Sequence, residues 1–258
     1  MSYTRLVMVR TGKPVTFEVL DETVVGRSPH LDLDPSEYIS AQQFGGQLRR
    51  KFDVEQIHYA AMPRSFRMMG FVGLGLRSGV KGWPALKEQP ALNEMSLGSC
   101  EGRSKEAVFG PNSVILKGLV AEGADYRYPG ISAAGVPGES TRDVVRRIAD
   151  YLIGIRAQPI PPKTILALSY QIPIHSLFGF VQLGGFEPGQ TIDNVDAHEL
   201  QNARLSQPTI DYYTCSSLIL EGTADAFNCR IEHVGQPPQA AAGQRHSFGA
   251  DGRQRSQP

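Results

Sequence analysis

Cysteine is scarce in this 258-residue sequence, which contains three, Cys100, Cys215 and Cys229. They lie far apart and none belongs to a C-x-x-C pair, so the sequence predicts neither a disulfide framework nor a zinc site. The chain also lacks an excess of charge, because 26 Lys and Arg residues balance 26 Asp and Glu residues. That balance, without blocks of like charge, argues against nucleic acid or an anionic membrane as a partner.

Long apolar runs are absent as well. No stretch approaches the roughly 18 apolar residues of a membrane-spanning helix, and the first apolar run is only as long as a strand. Together with the few cysteines, these absences predict a cytoplasmic protein, in a reducing compartment. Hydrophobic residues still make up 41% of the chain, which is enough for a sizeable core.

The sequence does contain an alternation of short apolar runs and helical patterns. Three of the runs predict buried parallel strands: Arg5–Val9, Gln56–Ala61 and Thr164–Leu168. A helical pattern follows each of the three runs. The clearest helix starts at Ser140, where Asp143 completes a variant of the capping box. Later runs from Cys215 and from Cys229 predict one more strand and an edge strand. The alternation predicts an α/β three-layer sandwich, with a mostly parallel, doubly wound sheet between helices on both faces.

The predicted domain organisation is one α/β domain over residues 1–238. Within it, residues 79–135 are rich in Gly and Pro and are interpreted as a lid-like insertion that excludes water from a site. Residues 239–258 have almost nothing to bury and are expected to form a disordered tail. The sequence leaves the oligomeric state open, and a homodimer is compatible with it.

Polar side chains follow the three predicted parallel strands, at the edge where ligands bind in open α/β sheets. Arg10 and Thr11 follow the first strand, Arg64 follows the second, and Tyr170 and Gln171 follow the third. Guanidinium groups bind phosphate or carboxylate bidentately, so two arginines at one sheet edge indicate an anion pocket. The alternative, that each arginine only caps a surface loop, stays open at this point.

The same residues resemble the histidine phosphatase superfamily, which includes the cofactor-dependent phosphoglycerate mutases. Six segments are similar to that family in the right order: "LVMVRTG", "GRSPHLDL", "YAAMPRS", "LNEMSLGSCEG", "PGES" and "LALSYQ". The similarity spans about residues 5–220 and implies a phosphoglycerate mutase-like α/β fold. It also implies that Arg10 and Arg64 grip a phosphate, and that Glu94 in the Leu-x-Glu segment is a general acid.

The resemblance breaks at two positions that matter for the chemistry. The family has Arg-His-Gly after its first strand and Ser-His-Gly after its last, and this chain has Thr11 and Tyr170 in place of those histidines. A threonine hydroxyl is a poor nucleophile without an adjacent base, so phosphohistidine turnover is expected to be absent. His58 and His175 fall on a predicted strand and a predicted helix, and both are interpreted as structural.

Two functions are compatible with these residues. In the first, a repurposed enzyme acts on a small phosphorylated or carboxylated metabolite by acid–base chemistry. The catalytic residues would then be Glu94 and Tyr170, and the substrate-binding residues would be Arg10, Thr11, Arg64 and Gln171. In the second, a non-catalytic pseudophosphatase binds an anion for a regulatory or partner-binding role. Neither function needs a metal or a cofactor, and no pair of residues has metal-ligand spacing.

Two finer expectations concern the replaced positions. The nearby arginines are expected to lower the pKa of Tyr170, which would favour proton transfer near neutral pH. The hydroxyl of Thr11 is expected to donate a hydrogen bond to the bound anion, without acting as a nucleophile.

Overall fold

The computed structural model describes residues 3–15, 22–28, 30–77, 82–187, 190–208, 210–222 and 227–236. Within these ranges one sheet contains six strands: β1 (Tyr3–Arg10), β2 (Gln56–Tyr59), β3 (Ala85–Glu88), β4 (Thr164–Ser169), β5 (Cys215–Gly222) and β6 (Phe227–Gln236). The α-helices of the described ranges are α1 (Tyr38–Lys51), α2 (Pro63–Arg77), α3 (Lys105–Phe109), α4 (Val114–Glu122), α5 (Thr141–Arg156), α6 (Gln171–Gln182) and α7 (Ala197–Leu205). The predicted tail, residues 239–258, lies outside the described residues.

The sheet is mixed and has the strand order β3-β2-β4-β1-β5-β6. The first four strands in that order run parallel to one another, whereas β5 is antiparallel to both β1 and β6. The predicted α/β fold with a mostly parallel sheet is therefore confirmed. Strand β3 was not predicted, because its residues are largely exposed at the sheet edge and form no apolar run.

The core lies on both faces of the sheet, because successive side chains of a strand point to opposite sides. In β1, Leu6 and Met8 belong to the cluster that packs against α5 and α6. Val7 and Val9 belong to the cluster that packs against α1 and α2. A strand that is buried on both faces has a continuous apolar run in its sequence, and this is why β1 and β4 could be predicted.

Local sequence explains where the two helices nearest the sheet centre begin. The capping box of α5 is confirmed: Ser140 accepts from the backbone N–H of Asp143, whose carboxylate accepts from the backbone N–H of Ser140 at 2.8 Å. Helix α6 carries Pro173 in its first turn, where a missing N–H costs no helical hydrogen bond. None of the described helices combines the length and the apolar character that crossing a membrane requires.

The segment predicted as a lid, residues 79–135, has two structural parts. Its beginning contributes β3 to the sheet through parallel pairing with β2. Its later part contains α3 and α4, and Phe109 and Leu119 from these helices line a cavity at the carboxyl edge of the sheet. The second part is thus the one placed to cover a site, and its movement as a lid stays a prediction.

Candidate functional site

Sheet register brings the predicted site residues together. Strands β1 and β4 are parallel neighbours in which Arg10 is paired with Ser169. Strand β2, which leads into α2, pairs with the other edge of β4. The residues that follow these strands, Thr11, Tyr170 and Arg64, therefore meet at one edge, as parallel strands require.

A cavity of about 1090 Å³ opens at this edge. All of the predicted site residues line it: Arg10, Thr11, Arg64, Glu94, Tyr170 and Gln171. Among the described lining residues, five carry a fixed positive charge, namely Arg10, Lys13, Arg64, Lys105 and Arg204, and one, Glu94, is a carboxylate. A concave surface with this excess of positive charge attracts anions.

Arg64 and Tyr170 each have a buried polar atom that lacks a well-aligned hydrogen-bond partner in the described structure. Arg64 is 9% exposed and Tyr170 is 2% exposed. The guanidinium carbon of Arg64 lies 4.8 Å from the centroid of the Tyr170 ring. Within the part of the chain that the structure describes, neither Arg64 Nε nor Tyr170 Oη has a hydrogen-bond partner of good geometry, although Arg64 and Thr11 lie close enough to Tyr170 Oη to act on its pKa. Buried polar atoms are nearly always paired, so two unpaired donors beside one cavity indicate room for an acceptor group.

The pKa of Tyr170 differs from the prediction. Burial raises this pKa above its ordinary value, and the positive charge of Arg64 opposes the rise without reversing it. The expected lowering is wrong, because the cost of desolvating a phenolate exceeds the attraction of the guanidinium group here. Tyr170 is therefore a neutral hydrogen-bond donor at neutral pH and not a base.

Arg10 is held in place by the segment that precedes β5. Its Nη1 donates to the carbonyl oxygen of Ile210 at 2.9 Å, and its Nη2 donates to Tyr212 Oη at 3.3 Å. The guanidinium carbon also lies 4.3 Å from the centroid of the Tyr212 ring. These contacts fix a positive charge at the cavity wall, and they give Tyr212 a packing role.

Thr11 is buried and its hydroxyl is engaged within the protein. Its Oγ1 donates to the carbonyl oxygen of Ser169 at 2.6 Å, and its backbone N–H donates to the same oxygen at 2.7 Å. A hydroxyl has a single proton to donate, so donation to a bound anion, which stays a prediction, would require this contact to break. The acceptor is a carbonyl and not a base, so the hydrogen bond does not activate Thr11 as a nucleophile.

Glu94 has the protonation behaviour of a general acid or base. Burial raises the pKa of its carboxyl group to about 7, although the backbone N–H of Met95 and the charges of Arg64, Arg147 and Arg10 act in the opposite direction. The Met95 N–H donates to Glu94 Oε1 at 2.9 Å. A carboxyl group that is close to half protonated at neutral pH can both give and take a proton.

An ion-pair network holds the loop that carries Glu94. Glu139, from the "PGES" segment, accepts from Arg27 Nη2 at 3.0 Å and from Arg147 Nε at 3.1 Å. The same two arginines donate to the loop backbone, Arg27 to the carbonyl oxygen of Glu94 at 2.9 Å and Arg147 to that of Asn93 at 2.8 Å. Glu139 therefore positions Glu94 indirectly, a role that its place in the sequence did not reveal.

The two histidines that were interpreted as structural have different environments. His58 is structural, because its Nδ1 is 2.7 Å from Tyr151 Oη and its Nε2 is 2.8 Å from Gln56 Oε1. His175 lines the cavity and its ring also bonds the backbone of Pro208, so its structural role stays an interpretation. Since His175 follows Gln171 by four residues, helical spacing places both on one face, and that signal was available in the sequence.

Cysteine and metal chemistry are not prominent in the described structure. The three cysteines are buried, and burial raises the pKa of each thiol, that of Cys229 to about 12. A raised pKa keeps a thiol protonated and unreactive. Within the described ranges, no three His, Cys, Asp or Glu side chains form a group that could hold a metal ion.

Comparison with known proteins supports the likeness seen in the sequence. The profile of the histidine phosphatase superfamily (branch 1) matches residues 6–218. A search of curated proteins found no match. Many solved structures are similar, among them a mycobacterial glucosyl-3-phosphoglycerate phosphatase, with a TM-score of 0.63 and 15% identity over 91% of this chain and 99% of that chain.

A second similar structure is phosphoserine phosphatase from Entamoeba histolytica, in complex with 3-phosphoglyceric acid. It has a TM-score of 0.59 and 17% identity, and the match covers 90% of this chain and 96% of that chain. At these identities the likeness to solved structures shows the fold alone. The family profile covers most of the sequence, and on that ground this chain belongs to the histidine phosphatase superfamily.

Proposed function

We propose that the protein binds a small phosphorylated or carboxylated metabolite in the cavity and acts on it by acid–base chemistry, without a phosphohistidine intermediate. One observation carries the proposal: Arg64 Nε and Tyr170 Oη, two buried donors without well-aligned partners among the described residues, line the same cavity as a carboxyl group with a pKa of about 7. An unpaired buried donor costs about 1–3 kcal/mol, which an anion with two acceptor oxygens would recover.

The first turn of α6 supplies further donors to such an anion. Its N-cap, Tyr170, makes no side-chain hydrogen bond to the helix, so the first backbone N–H groups are not capped from within. Gln171 and Ile172, the first two residues of α6, line the cavity. The N-terminus of a helix carries a partial positive charge and binds anions such as phosphate or carboxylate.

The proposed absence of a phosphoenzyme follows from the residues at two positions. The resemblance to the family aligns Thr11 and Tyr170 with its two reactive histidines. Burial keeps Tyr170 protonated, and the Thr11 hydroxyl donates to a backbone carbonyl. Neither group supplies a nucleophile comparable to a neutral imidazole at pH 7. An isomerisation, an elimination or a condensation would need no such nucleophile.

The alternative is a non-catalytic pseudophosphatase that binds an anion for a regulatory role. The protonation of Glu94 favours the enzyme over this alternative. A site that only holds an anion gains nothing from a nearby carboxyl group with a pKa of about 7, since its ionised form repels the ligand. An acid–base catalyst requires that same pKa. We place Glu94 as the proton-transferring residue and Tyr170 as a donor that orients the substrate.

Anion binding is expected to depend on Arg64. Titration of the protein with inorganic phosphate at pH 7 should give a binding isotherm by calorimetry and an increase in melting temperature. The variant Arg64→Gln should bind phosphate roughly 10- to 150-fold more weakly, because a hydrogen bond to a charged group is worth about 1.5–3 kcal/mol.

Arg67 offers a matched control on the same helix. It lies one turn after Arg64 and forms an exposed ion pair with Asp32 at 2.6 Å. The variant Arg67→Gln should bind phosphate as the wild type does. If Arg64→Gln also binds phosphate with wild-type affinity, the anion does not bind at Arg64 and the proposed function is wrong.

Phosphatase activity is expected to be at background. The purified protein, incubated with a generic aryl phosphate, should release no phosphate above a buffer control, because neither Thr11 nor Tyr170 can be phosphorylated as an imidazole is. Mass spectrometry of the incubated protein should show no added phosphoryl group. Turnover that the variant Thr11→Ala abolishes, or a phosphoryl adduct on Thr11, would overturn this expectation and make Thr11 catalytic.

A further inference from the structure

A second cavity lies at the opposite edge of the sheet from the site described above. Strands β2 and β3 are parallel neighbours, and the residues that precede them, 49–55 and 82–84, line a cavity of about 640 Å³ together with Leu76. These residues stand at the amino ends of the strands, whereas the first cavity opens at the carboxyl ends. The volume falls in the range of about 300–1,000 Å³ that is usual for small-molecule sites.

Trp83, the only tryptophan of the chain, presents a fixed aromatic surface to this second cavity. Its ring packs directly on helix α2, because a Cβ added at Gly73 would lie 2.5 Å from Trp83 Cζ3. The guanidinium carbon of Arg77 lies 5.5 Å from the ring centroid. Trp83 is nevertheless 41% exposed. A large aromatic side chain that is held in place and still exposed indicates a surface on which a ligand can stack.

Three basic residues in the last turn of α1, Arg49, Arg50 and Lys51, line the same cavity. All three are exposed, and none forms an ion pair with a residue that the structure describes. Basic residues in a last turn also complement the helix dipole. That role explains their place on α1, but it does not explain a concave surface with an exposed tryptophan beside them. Their charged groups are available to bind an anion.

Two carboxylates, Asp53 and Glu55, also line the second cavity. Glu55 Oε2 accepts from the backbone N–H of Lys163 at 2.9 Å, which holds this side chain in place. Acidic groups among basic ones repel a ligand that is negative along its whole length, such as an acidic peptide or a nucleic acid strand. They accept hydrogen bonds from neutral hydroxyl groups. The lining therefore fits a ligand that has one anionic end, hydroxyl groups and an aromatic ring.

We propose that this second cavity binds a nucleotide, with its base stacked on Trp83, its ribose hydroxyls at the two carboxylates and its phosphate at the three basic residues of α1. Each part of a nucleotide has a matching group in the lining: bases stack on aromatic rings, ribose hydroxyls donate to carboxylates, and Arg and Lys bind phosphate. The site goes beyond the proposed function, because it lies at the other edge of the sheet and takes no part in the acid–base chemistry.

The fluorescence of Trp83 tests the proposal, because the chain has no other tryptophan. Titration with AMP at pH 7 should quench this fluorescence to saturation, since a stacked base quenches an indole. N-acetyltryptophanamide, titrated in parallel, corrects for the light that AMP absorbs. Adenosine, which lacks the phosphate, should bind roughly tenfold or more weakly than AMP. Dideoxy-AMP, which lacks both ribose hydroxyls, should bind roughly two- to tenfold more weakly than AMP.

Substitutions separate this site from the first cavity. The double variant Arg49→Gln/Arg50→Gln should weaken AMP by roughly tenfold or more and leave adenosine unchanged within about twofold. The variant Arg64→Gln should be quenched by AMP as the wild type is. Arg230 lies on β6, the strand farthest from β3, and forms an exposed ion pair with Glu221. It provides the control variant Arg230→Gln, for which no change is expected.

Melting curves confirm that each variant is folded. Absence of quenching by AMP, or quenching that the double variant leaves unchanged, would overturn the site. Equal affinities of AMP and dideoxy-AMP would overturn the choice of a nucleotide. Loss of quenching in Arg64→Gln would assign AMP to the first cavity instead. A single-stranded oligoadenylate that binds far more tightly than AMP would make the ligand a nucleic acid. Failure of inorganic phosphate to bind at Arg64 would sink the proposed function and leave this site standing.

Discussion

Replacement of Glu139 by glutamine is expected to lower the free energy of unfolding by about 3–5 kcal/mol, the usual cost of removing one partner from a buried ion pair. Its carboxylate is 15% exposed, and its partners Arg27 and Arg147 are 15% and 19% exposed. A neutral amide would leave both guanidinium groups without a compensating charge. Urea unfolding at pH 7 measures the change as a lower midpoint at constant slope.

An exposed ion pair gives the control for this effect. Asp193 and Arg146 are 2.7 Å apart, with side chains that are 68% and 45% exposed. The variant Asp193→Asn should change the free energy of unfolding by less than about 1 kcal/mol, because solvent screens the pair. A similarly small effect of Glu139→Gln would show that the network does not hold the Glu94 loop.

The variant Glu94→Gln is expected to be more stable than the wild type at pH 8, by on the order of 3 kcal/mol, and equally stable at pH 4. The folded-state pKa of Glu94 is about 7, above its ordinary value of 4.5. At pH values between 4.5 and about 7 the folded state binds more protons than the unfolded state. The free energy of unfolding of the wild type therefore falls as the pH rises through this window. Glutamine cannot ionise, and its variant should not show that fall.

Stability curves measured by urea unfolding from pH 4 to pH 8 test this difference. Glu122, at the exposed end of α4, provides the control variant Glu122→Gln, whose curve should parallel that of the wild type. Parallel curves for Glu94→Gln and the wild type would contradict the raised pKa. Phosphate binding by Glu94→Gln should persist at pH 8, since the repelling carboxylate is gone.

Part of the site could be read from the sequence because apolar runs end abruptly where ligands bind. The runs of β1 and β4 end before Thr11 and Tyr170, and parallel pairing then brings these two residues together. The sequence could not reveal the pKa of Tyr170, because that depends on burial by residues far along the chain. The sequence showed that arginines would lie near Tyr170, but it did not show the desolvation that outweighs their effect on this pKa.

Helix α7 lines the cavity with Gln201, Asn202 and Arg204, and this part of the site escaped prediction for a different reason. Only Leu200 and Gln201 are buried in this nine-residue helix, so it has no apolar stripe to mark it. Nothing in the sequence therefore marked Arg204 as a residue that lines the cavity. His175 could have been placed in the site from its spacing with Gln171, had the four-residue interval been used. An element that buries many residues has an apolar periodicity in its sequence, whereas a helix that buries few residues beside a cavity does not.

The position of β1 in the sheet also affects how the chain acquires its structure during synthesis. Both neighbours of β1 are distant in sequence, since it pairs with β4 and with β5. Roughly 150 residues separate β1 from β4, which corresponds to about 8–30 s of translation at ordinary rates. During that interval the apolar segment Leu6–Val9 lacks its native strand partners. The edge of the sheet where Thr11 and Tyr170 meet cannot form until β4 has left the ribosome. The folding of this chain is therefore governed by contacts between residues that are distant in sequence.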